Sequence, residues 1–588
     1  MENGQKKLKE LFDGRKIFSI PDYQRAYAWE TTRQLPDFIE DIDNQAIGRD
    51  YFLGTILFQE KLEKNAGFDL IDIVDGQQRI TTTIIFMKSL LSSLRQRLND
   101  SQYEELGLDL VEETYILNKN RPKLQAISPD NDFFFNYILN DGNGSDHIET
   151  PSQRRLLEAK KFFHDELADR STEELLQLKC KIDEHTKVLT YSVKDAAEAT
   201  LIFETTNDRG KKLTNLEKIK SFLMYKTYLA AADDVDHYLT VIQQRFADIF
   251  RELELFDGKI DEDSILRFHY IAFEDWIDKS EYQQPTTSIR TKLNPLIAGN
   301  RKQEALAFID RFSRELKESF HLMRHISLSK CQAFRDLACL ERMESFYPLI
   351  LKAFKSDSSA DKKNFSITCR LLEIYSFRVF AVQQNRANTG QSALYKLARN
   401  FAGRFEPLFD NLSSIINDAS SRRRFLETLQ DAELYNWMSS RDLCYLVWKY
   451  ENHLRRSEQP ICSEMSEAEF RNTGSKTRLT VEHIASQTKN SIVLDSSIMP
   501  DIDTAFRDQH LHCLGNLTFD PASANSSKSN GEIEIKHSKY FSKAPYKTQN
   551  ELESFMIKAK WTSESIDLRQ TKIIDFCIRY WNPQYVSY

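Results

Sequence analysis

Glycine and proline are scarce, 17 and 14 among 588 residues, about 5% of the chain where ordinary usage is about 12%. That argues against an all-β protein built on tight turns and for a largely helical one. The eight cysteines (180, 331, 339, 369, 444, 462, 513 and 577) form no C-x-x-C pair. Such scatter offers neither a disulfide framework nor a zinc knuckle and fits reduced thiols, so a cytoplasmic location is expected. No apolar run approaches the ~18 residues that span a bilayer. The start, Met1 to Lys7, leads into a charged amphipathic stretch and not into a secretory core, so no membrane partner is expected. An excess of positive charge is missing too: the net charge is −8. Its distribution is uneven, with 15 Lys and Arg against 13 Asp and Glu over 471–588, which makes that part +2 and the remainder −10. An enzyme that touches a few phosphates needs only a local positive surface.

What is present is ordinary globular composition, 41% hydrophobic, 29% charged and 11% aromatic. At ~150 residues per domain the length suggests about four folding units. The first ~90 residues read as α/β, with strand candidates Lys16–Ile20, Tyr51–Gln59 and Phe68–Val74 and a helix over Ile80–Leu91. Helical patterns follow at Gln153–Leu167 and Ala196–Thr206, and Thr214-x-x-Glu217 is a capping box. From 215 to about 455 the pattern is helical, with Ile309, Phe312, Leu316, Phe320 and Met323 in one apolar stripe. Polar Arg455–Arg478 reads as a linker. The expected domains are 1–225, 226–455 and 456–588, and the expected class is α+β, predominantly helical.

Two constellations carry chemistry. Asp75-Gly76-Gln77-Gln78-Arg79 lies between a strand and a helix opening with Thr81, Thr82 and Thr83. A helix start offers unpaired N–H groups and a positive dipole end to phosphate. Gly76 would let backbone approach a ligand, Arg79 could neutralise phosphate, Asp75 could hold a metal or polarise a water, and Gln77 or Gln78 could orient that water. Tyr23-Gln24-Arg25-Ala26-Tyr27-Ala28-Trp29 packs aromatics beside an arginine and a glutamine, and Phe203-Glu204-Thr205-Thr206-Asn207-Asp208-Arg209-Gly210 clusters polar groups at a helix end. A turn with a capping Asp is the plainer reading of the first segment by itself.

The second constellation is Glu482-His483-Ile484, then Leu514-Gly515-Asn516-Leu517, then Asn525-x-x-Lys528. A neutral imidazole takes a proton from an attacking water near pH 7. A carboxylate and an amide oxygen are hard ligands for one Mg²⁺ or Mn²⁺, a further asparagine can hold the histidine's loop, and lysine supplies charge near phosphate. His510 and His512, two apart, fit metal binding or simple packing, and Arg422-Arg423-Arg424 a solvated helix face or a DNA contact.

In this order the motifs resemble the GmrSD-type modification-dependent (type IV) restriction enzymes, over roughly 8–225 for the first half and 475–560 for the second. The resemblance implies a ParB/sulfiredoxin-like N-terminal domain that binds and hydrolyses a nucleoside triphosphate (GTP, UTP, ATP or CTP, not distinguished). Its candidate residues are Tyr23, Gln24, Arg25, Asp75, Gly76, Gln77, Gln78, Arg79 and Asn207, with Asp75, Gln78 and Arg79 in the hydrolytic step. It also implies a C-terminal ββα-metal HNH nuclease module. There His483 matches the general base, Glu482 and Asn525 the metal ligands, Asn516 the asparagine that supports the base, and Lys528 a phosphate contact, with Asn530 a rival to Asn525. Two departures stand out: Ser486 precedes Gln487 where the family has Pro, and 32 residues separate His483 from Asn516, implying an insertion around 489–508.

The implied activity is an NTP-dependent or NTP-regulated, metal-dependent endonuclease that cleaves double-stranded phage DNA carrying modified bases, such as hydroxymethylated or glucosylated cytosine, in antiviral defence. Two alternatives stay open: a phosphorothioate-sensing NTPase-nickase of the same layout, and a nucleotide-binding regulatory module whose HNH half is a non-catalytic scaffold. RNA is a smaller alternative as substrate. One HNH site cuts one strand, so double-strand breaks require a homodimer or two sequential events.

Overall fold

A computed structural model describes residues 4–46, 48–193, 214–231, 234–256, 260–458, 462–485, 506–528 and 533–585, with backbone alone at 62–64, 527–528, 533–535 and 585. The chain divides into two compact units, 1–267 with 276–325 and 268–275 with 326–588. It is α+β and mostly helical, with one small mixed sheet near the N-terminus.

In the first unit, β1 (Gly4–Lys7), β2 (Lys16–Ser19), β3 (Tyr51–Asn65), β4 (Phe68–Asp75), β5 (Leu124–Gln125) and β6 (Thr186–Val193) form a six-stranded sheet in the order β1-β6-β3-β4-β2-β5. β2 runs parallel to β4 and β5, and β3 parallel to β6, while β1–β6 and β3–β4 are antiparallel. The three strands expected from apolar runs are all present. In β4, Ile71 and Ile73 are buried on one face with Asp72 half-buried between them, as the two-residue repeat of a strand requires.

Chain direction reverses after β4 at Gly76, whose φ of 94° lies in the left-handed region. α1 (Gln77–Arg95) starts there, three residues before the expected Ile80. It is apolar almost all round, burying Ile80, Ile84, Ile85, Phe86, Met87, Leu90, Leu91 and Leu94, as a helix at the centre of a core must. Thr81 and Thr83 return their hydroxyls to Gln77 O and Arg79 O at 2.8 Å, so these buried polar groups are satisfied within the helix. α1 packs on α2 (Pro151–Ala168), with Phe86 edge-on to Phe163 at 5.3 Å. The expected capping box at Thr214 and Glu217 opens α3 (Asn215–Ala230), which packs on α4 (Val235–Glu254). The helix expected over 196–206 falls outside the described residues. The apolar stripe from Ile309 to Met323 is buried along the helix Lys302–Ser327.

The second unit is built on α5 (Lys363–Tyr375), α6 (Ser440–Arg456) and a two-stranded antiparallel ribbon with helices behind it. The ribbon pairs β7 (Leu479–His483) with β8 (Leu517–Pro521), placing Glu482 opposite Thr518 and His483 opposite Leu517. α7 (Ala522–Lys528) follows β8 directly, then come α8 (Ile533–Lys539) and α9 (Ser563–Tyr580). The described part of Arg455–Arg478, read as a linker, is anchored on α6. Trp448 Nε1 donates to Met465 O at 3.0 Å, and Asn452 exchanges two bonds with the Met465 backbone.

α9 sets the back of the ribbon. Arg569, wholly buried, donates from Nη1 to Gly515 O and Leu517 O, each at 2.8 Å, and pairs through Nε with Glu551 at 3.2 Å. A Cβ on Gly515 would collide with the backbone oxygen of Ile566, so the glycine before Asn516 is what lets α9 approach this closely.

Candidate active site

Neighbouring residues on a strand face opposite sides, and the end of β7 uses both. Glu482 turns its carboxylate to Lys536 of α8, whose Nζ lies 2.7 Å from Oε1 and 3.0 Å from His483 O. The two side chains are only 5% and 3% exposed, so this is a buried ion pair. His483 turns its ring to a pair of aromatics. Its Nε2 lies 3.2 Å from His512 Nδ1, and the Tyr435 ring meets it edge-on at 4.3 Å. Burial, helped by His512 and Lys536, brings the His483 imidazolium down to about 3, so the ring is neutral at neutral pH.

Asn516 is buried and uses its amide on the loop that follows His483. Oδ1 accepts from Ala485 N at 2.9 Å and from Trp561 Nε1 at 3.3 Å, while Nδ2 donates to Leu511 O at 2.9 Å. Ile484 N also donates to Asn516 O at 2.9 Å. Asn525 on α7 donates from Nδ2 to Thr480 Oγ1 and Val481 O, both at 3.0 Å, which ties α7 to β7 just before Glu482. Its Oδ1 is the atom suited to a cation. Glu482 and His483 thus lie on the ribbon itself, Asn516 in the turn that leads into β8 and Asn525 on α7.

Lys536 did not emerge from the sequence, where spacing favoured Lys528. The side chain of Lys528, and all of Asn530, Ser486, Gln487 and 489–505, fall outside the described residues. A lysine after Ile533 and Ile535 carries only a faint sign of burial, since partner choice is a tertiary matter. His510 and His512 part company: His510 Nε2 lies 3.3 Å from Asp567, while His512 reaches His483. Arg422, Arg423 and Arg424 are exposed on the helix Arg422–Leu429, with Arg423 paired to Glu427 at 2.7 Å.

In the first unit the Asp75–Arg79 segment is tied to its neighbours. Gln77 Nε2 donates to Arg25 O at 3.1 Å, Gln78 accepts from Ala28 N at 2.8 Å and donates to Ala26 O at 3.0 Å, and Gln24 donates to Val74 O at 2.7 Å. Arg79 donates to Leu53 O at 3.3 Å and Thr55 O at 2.9 Å and lies 3.7 Å from Asp75, while burial pushes the Asp75 carboxyl up against the pull of Arg79. The glutamines thus act as clips that hold 25–28 against the start of α1. Buried Lys220 of α3 reaches Tyr23 O at 3.0 Å from beneath, and burial lowers its ammonium to about 8. Arg25 opens onto a cavity of about 320 Å³ that Arg155, Thr214, Phe250, Glu262 and Asp263 also line. Burial raises the carboxyl of Glu262, with Arg25 opposing. Asn207 lies outside the described residues.

Comparison with known families agrees with this layout. The model of the GmrSD restriction endonuclease N-terminal domain matches residues 8–224, and that of the GmrSD restriction endonuclease C-terminal domain matches residues 419–576. The chain belongs to the GmrSD restriction endonucleases. No curated protein matches it. The GmrSD C-terminal match begins well before the expected 475, and contacts explain why: Tyr435 touches His483, and Glu451 on α6 accepts from Lys547 N and Thr548 N at 2.9 and 2.8 Å. Membership of GmrSD makes endonucleolytic cleavage the class of activity and DNA the partner. Among the described residues no helix is long and apolar enough to cross a membrane.

Proposed function

We propose that this GmrSD chain is a cytoplasmic single-chain HNH nuclease, metal-dependent and NTP-regulated, that cuts modified phage DNA in antiviral defence. The observation that carries the reading is the end of β7, where His483 directly follows Glu482 on a ribbon that Asn516 and Asn525 brace. His483 takes the proton of the attacking water. Asn516 holds the 484–485 loop, so the imidazole keeps its place as the proton moves.

The donor set suits a hard divalent cation. Glu482 offers carboxylate oxygens, Asn525 an amide oxygen, and the carboxylate already attracts a cationic group in the ammonium of Lys536. Glu482 and Asn525 would hold Mg²⁺ or Mn²⁺, which when bound supplies Lewis acidity toward the phosphate and the departing oxygen. Arg25, which lines the cavity shared with Arg155 and Glu262, would receive the triphosphate, with Asp75 and Arg79 shaping the loop beside it. Nucleotide regulates cleavage only if it binds the silent and active arrangements unequally.

The test is cleavage of modified and plain duplexes with Mg²⁺ or Mn²⁺, with and without each NTP, by the wild type and by His483→Ala. The wild type should cut modified DNA, and the variant should lose about 10²–10⁴-fold in rate, the usual contribution of a general base. Equal rates remove His483 from the chemistry.

A further inference from the structure

The nuclease reading leaves Arg422-Arg423-Arg424 without a task. The three open the helix Arg422–Leu429 and are exposed. A helix start has backbone N–H groups that no helical carbonyl accepts from. Here Ser421 Oγ caps Arg424 N at 3.3 Å, and among the described residues nothing accepts from the N–H of Arg422 or Arg423. No acidic residue stands in this first turn. Arg423 is paired to Glu427, which leaves the guanidiniums of Arg422 and Arg424 without a carboxylate among the described residues.

A fourth arginine lies beneath the turn. Arg378, on the π-helical segment Ser376–Val382, is 3% exposed. Its Nη2 donates to Ser420 O, at the end of the helix Phe405–Ala419, and its Cζ lies 5.1 Å over the ring of Phe425 in the basic helix. The guanidinium therefore spans the junction from Ser420 to Phe425. Nothing anionic answers it. Its Nε has no partner, nor has the buried hydroxyl of Ser420, and no carboxylate pairs with Arg378 among the described residues. Burial brings its pKa down to about 10, which leaves it charged at neutral pH. A carbonyl dipole and an aromatic face offset only part of what a buried cation costs. An anion set on the turn above it supplies the charge that is missing.

The basic helix packs on α9, whose Arg569 holds the entry to β8, and six residues beyond Leu429 the ring of Tyr435 touches His483. The eight helical residues rise about 12 Å and six extended ones reach at most about 21 Å, so a single turn of duplex, about 35 Å, can touch both places. We propose that the turn 420–424, with Arg378 beneath it, seats one backbone phosphate of the DNA on the same support as the ribbon. The N–H groups of Arg422 and Arg423 meet its oxygens, the exposed side chains of Arg422 and Arg424 clasp it, and Arg378 adds charge where little water screens it. Such a contact positions a duplex and reads no sequence. It needs DNA as the partner and none of the chemistry assigned to His483.

The experiment is fluorescence anisotropy of a labelled plain duplex of about three helical turns with the full chain in EDTA, over a series of salt concentrations. Arg422→Gln combined with Arg424→Gln, both at exposed positions, should weaken binding roughly 3–10-fold and lessen the slope of log K against log salt by about 1, the loss of one phosphate. Arg378→Met should weaken binding about as much, and Arg378→Lys, which keeps the charge, should recover most of that loss. Thermal unfolding followed by circular dichroism in the same proteins separates a lost seat from a lost fold. NTP binding should be equal in the wild type and all the variants. An unchanged slope in the Arg422 and Arg424 double variant, or full affinity in folded Arg378→Met, overturns the inference. Lost NTP binding with DNA affinity intact overturns it too, because the seat would then belong to the phosphates of a nucleotide.

Discussion

Lys536→Met keeps most of a side chain's volume while removing the ammonium that faces Glu482. Two unit charges about 4 Å apart attract by ~4 kcal/mol at an effective dielectric of about 20. Here Nζ and Oε1 are 2.7 Å apart in nearly dry surroundings, and the same ammonium also serves His483 O. Removing one member leaves a buried carboxylate without its partner, which costs about 3–5 kcal/mol. For a unit of this size that is a fall of roughly 5–10 °C in the unfolding midpoint of the second unit, read by calorimetry in EDTA. Adding Glu482→Gln should restore most of the loss, because the uncompensated charge is then gone. Mn²⁺ at 100 times its dissociation constant returns about 2.7 kcal/mol to any protein that binds it only when folded. At one fixed Mn²⁺ concentration the stabilisation should be larger in Lys536→Met, where no ammonium competes with the cation for Glu482, than in the wild type. A loss below about 1 kcal/mol, or equal Mn²⁺ shifts in the two proteins, refutes the reasoning.

Gly76→Ala places a Cβ at a φ of 94° and 3.1 Å from Ile56 Cγ1, so it should destabilise the first unit by about 1–3 kcal/mol in urea unfolding; an unchanged midpoint counts against the strain. Acid should act through His483. Its folded value, about 3, lies below the ordinary 6.5, so its contribution is complete above pH 6.5 and is lost as pH falls toward 3. The slope reaches at most about 1.4 kcal/mol per pH unit in metal-free protein, and identical slopes in His483→Phe would reject the assignment.

The elements legible in the sequence are those that local pattern decides. β2, β3 and β4 announce themselves by apolar runs between turn residues, α3 by its capping box, and the helix Lys302–Ser327 by a stripe at three and four residues. The Glu482-His483, Asn516 and Asn525 spacings picked out two residues of the ribbon and two that hydrogen-bond to its first strand or to the loop after it. What stayed hidden depends on long-range choice. Nothing local tells Lys536 from Lys528, or says that His512 turns to a histidine 29 positions earlier while His510 turns to Asp567. Nor does an amide side chain reveal which groups it will bind. Gln77 and Gln78 suit the orientation of water, yet their hydrogen bonds go to the backbone of residues 25–28.

Arg569 joins two backbone carbonyls of the 515–517 strand entry to α9. Ribosomal synthesis therefore delivers α9 after both strands of the ribbon that it braces. A nascent chain, or one broken off before α9, would present Glu482 and His483 without the brace that aligns them. Truncation anywhere between Pro521 and Ser563 should therefore disarm the ribbon while leaving both of its strands in the chain.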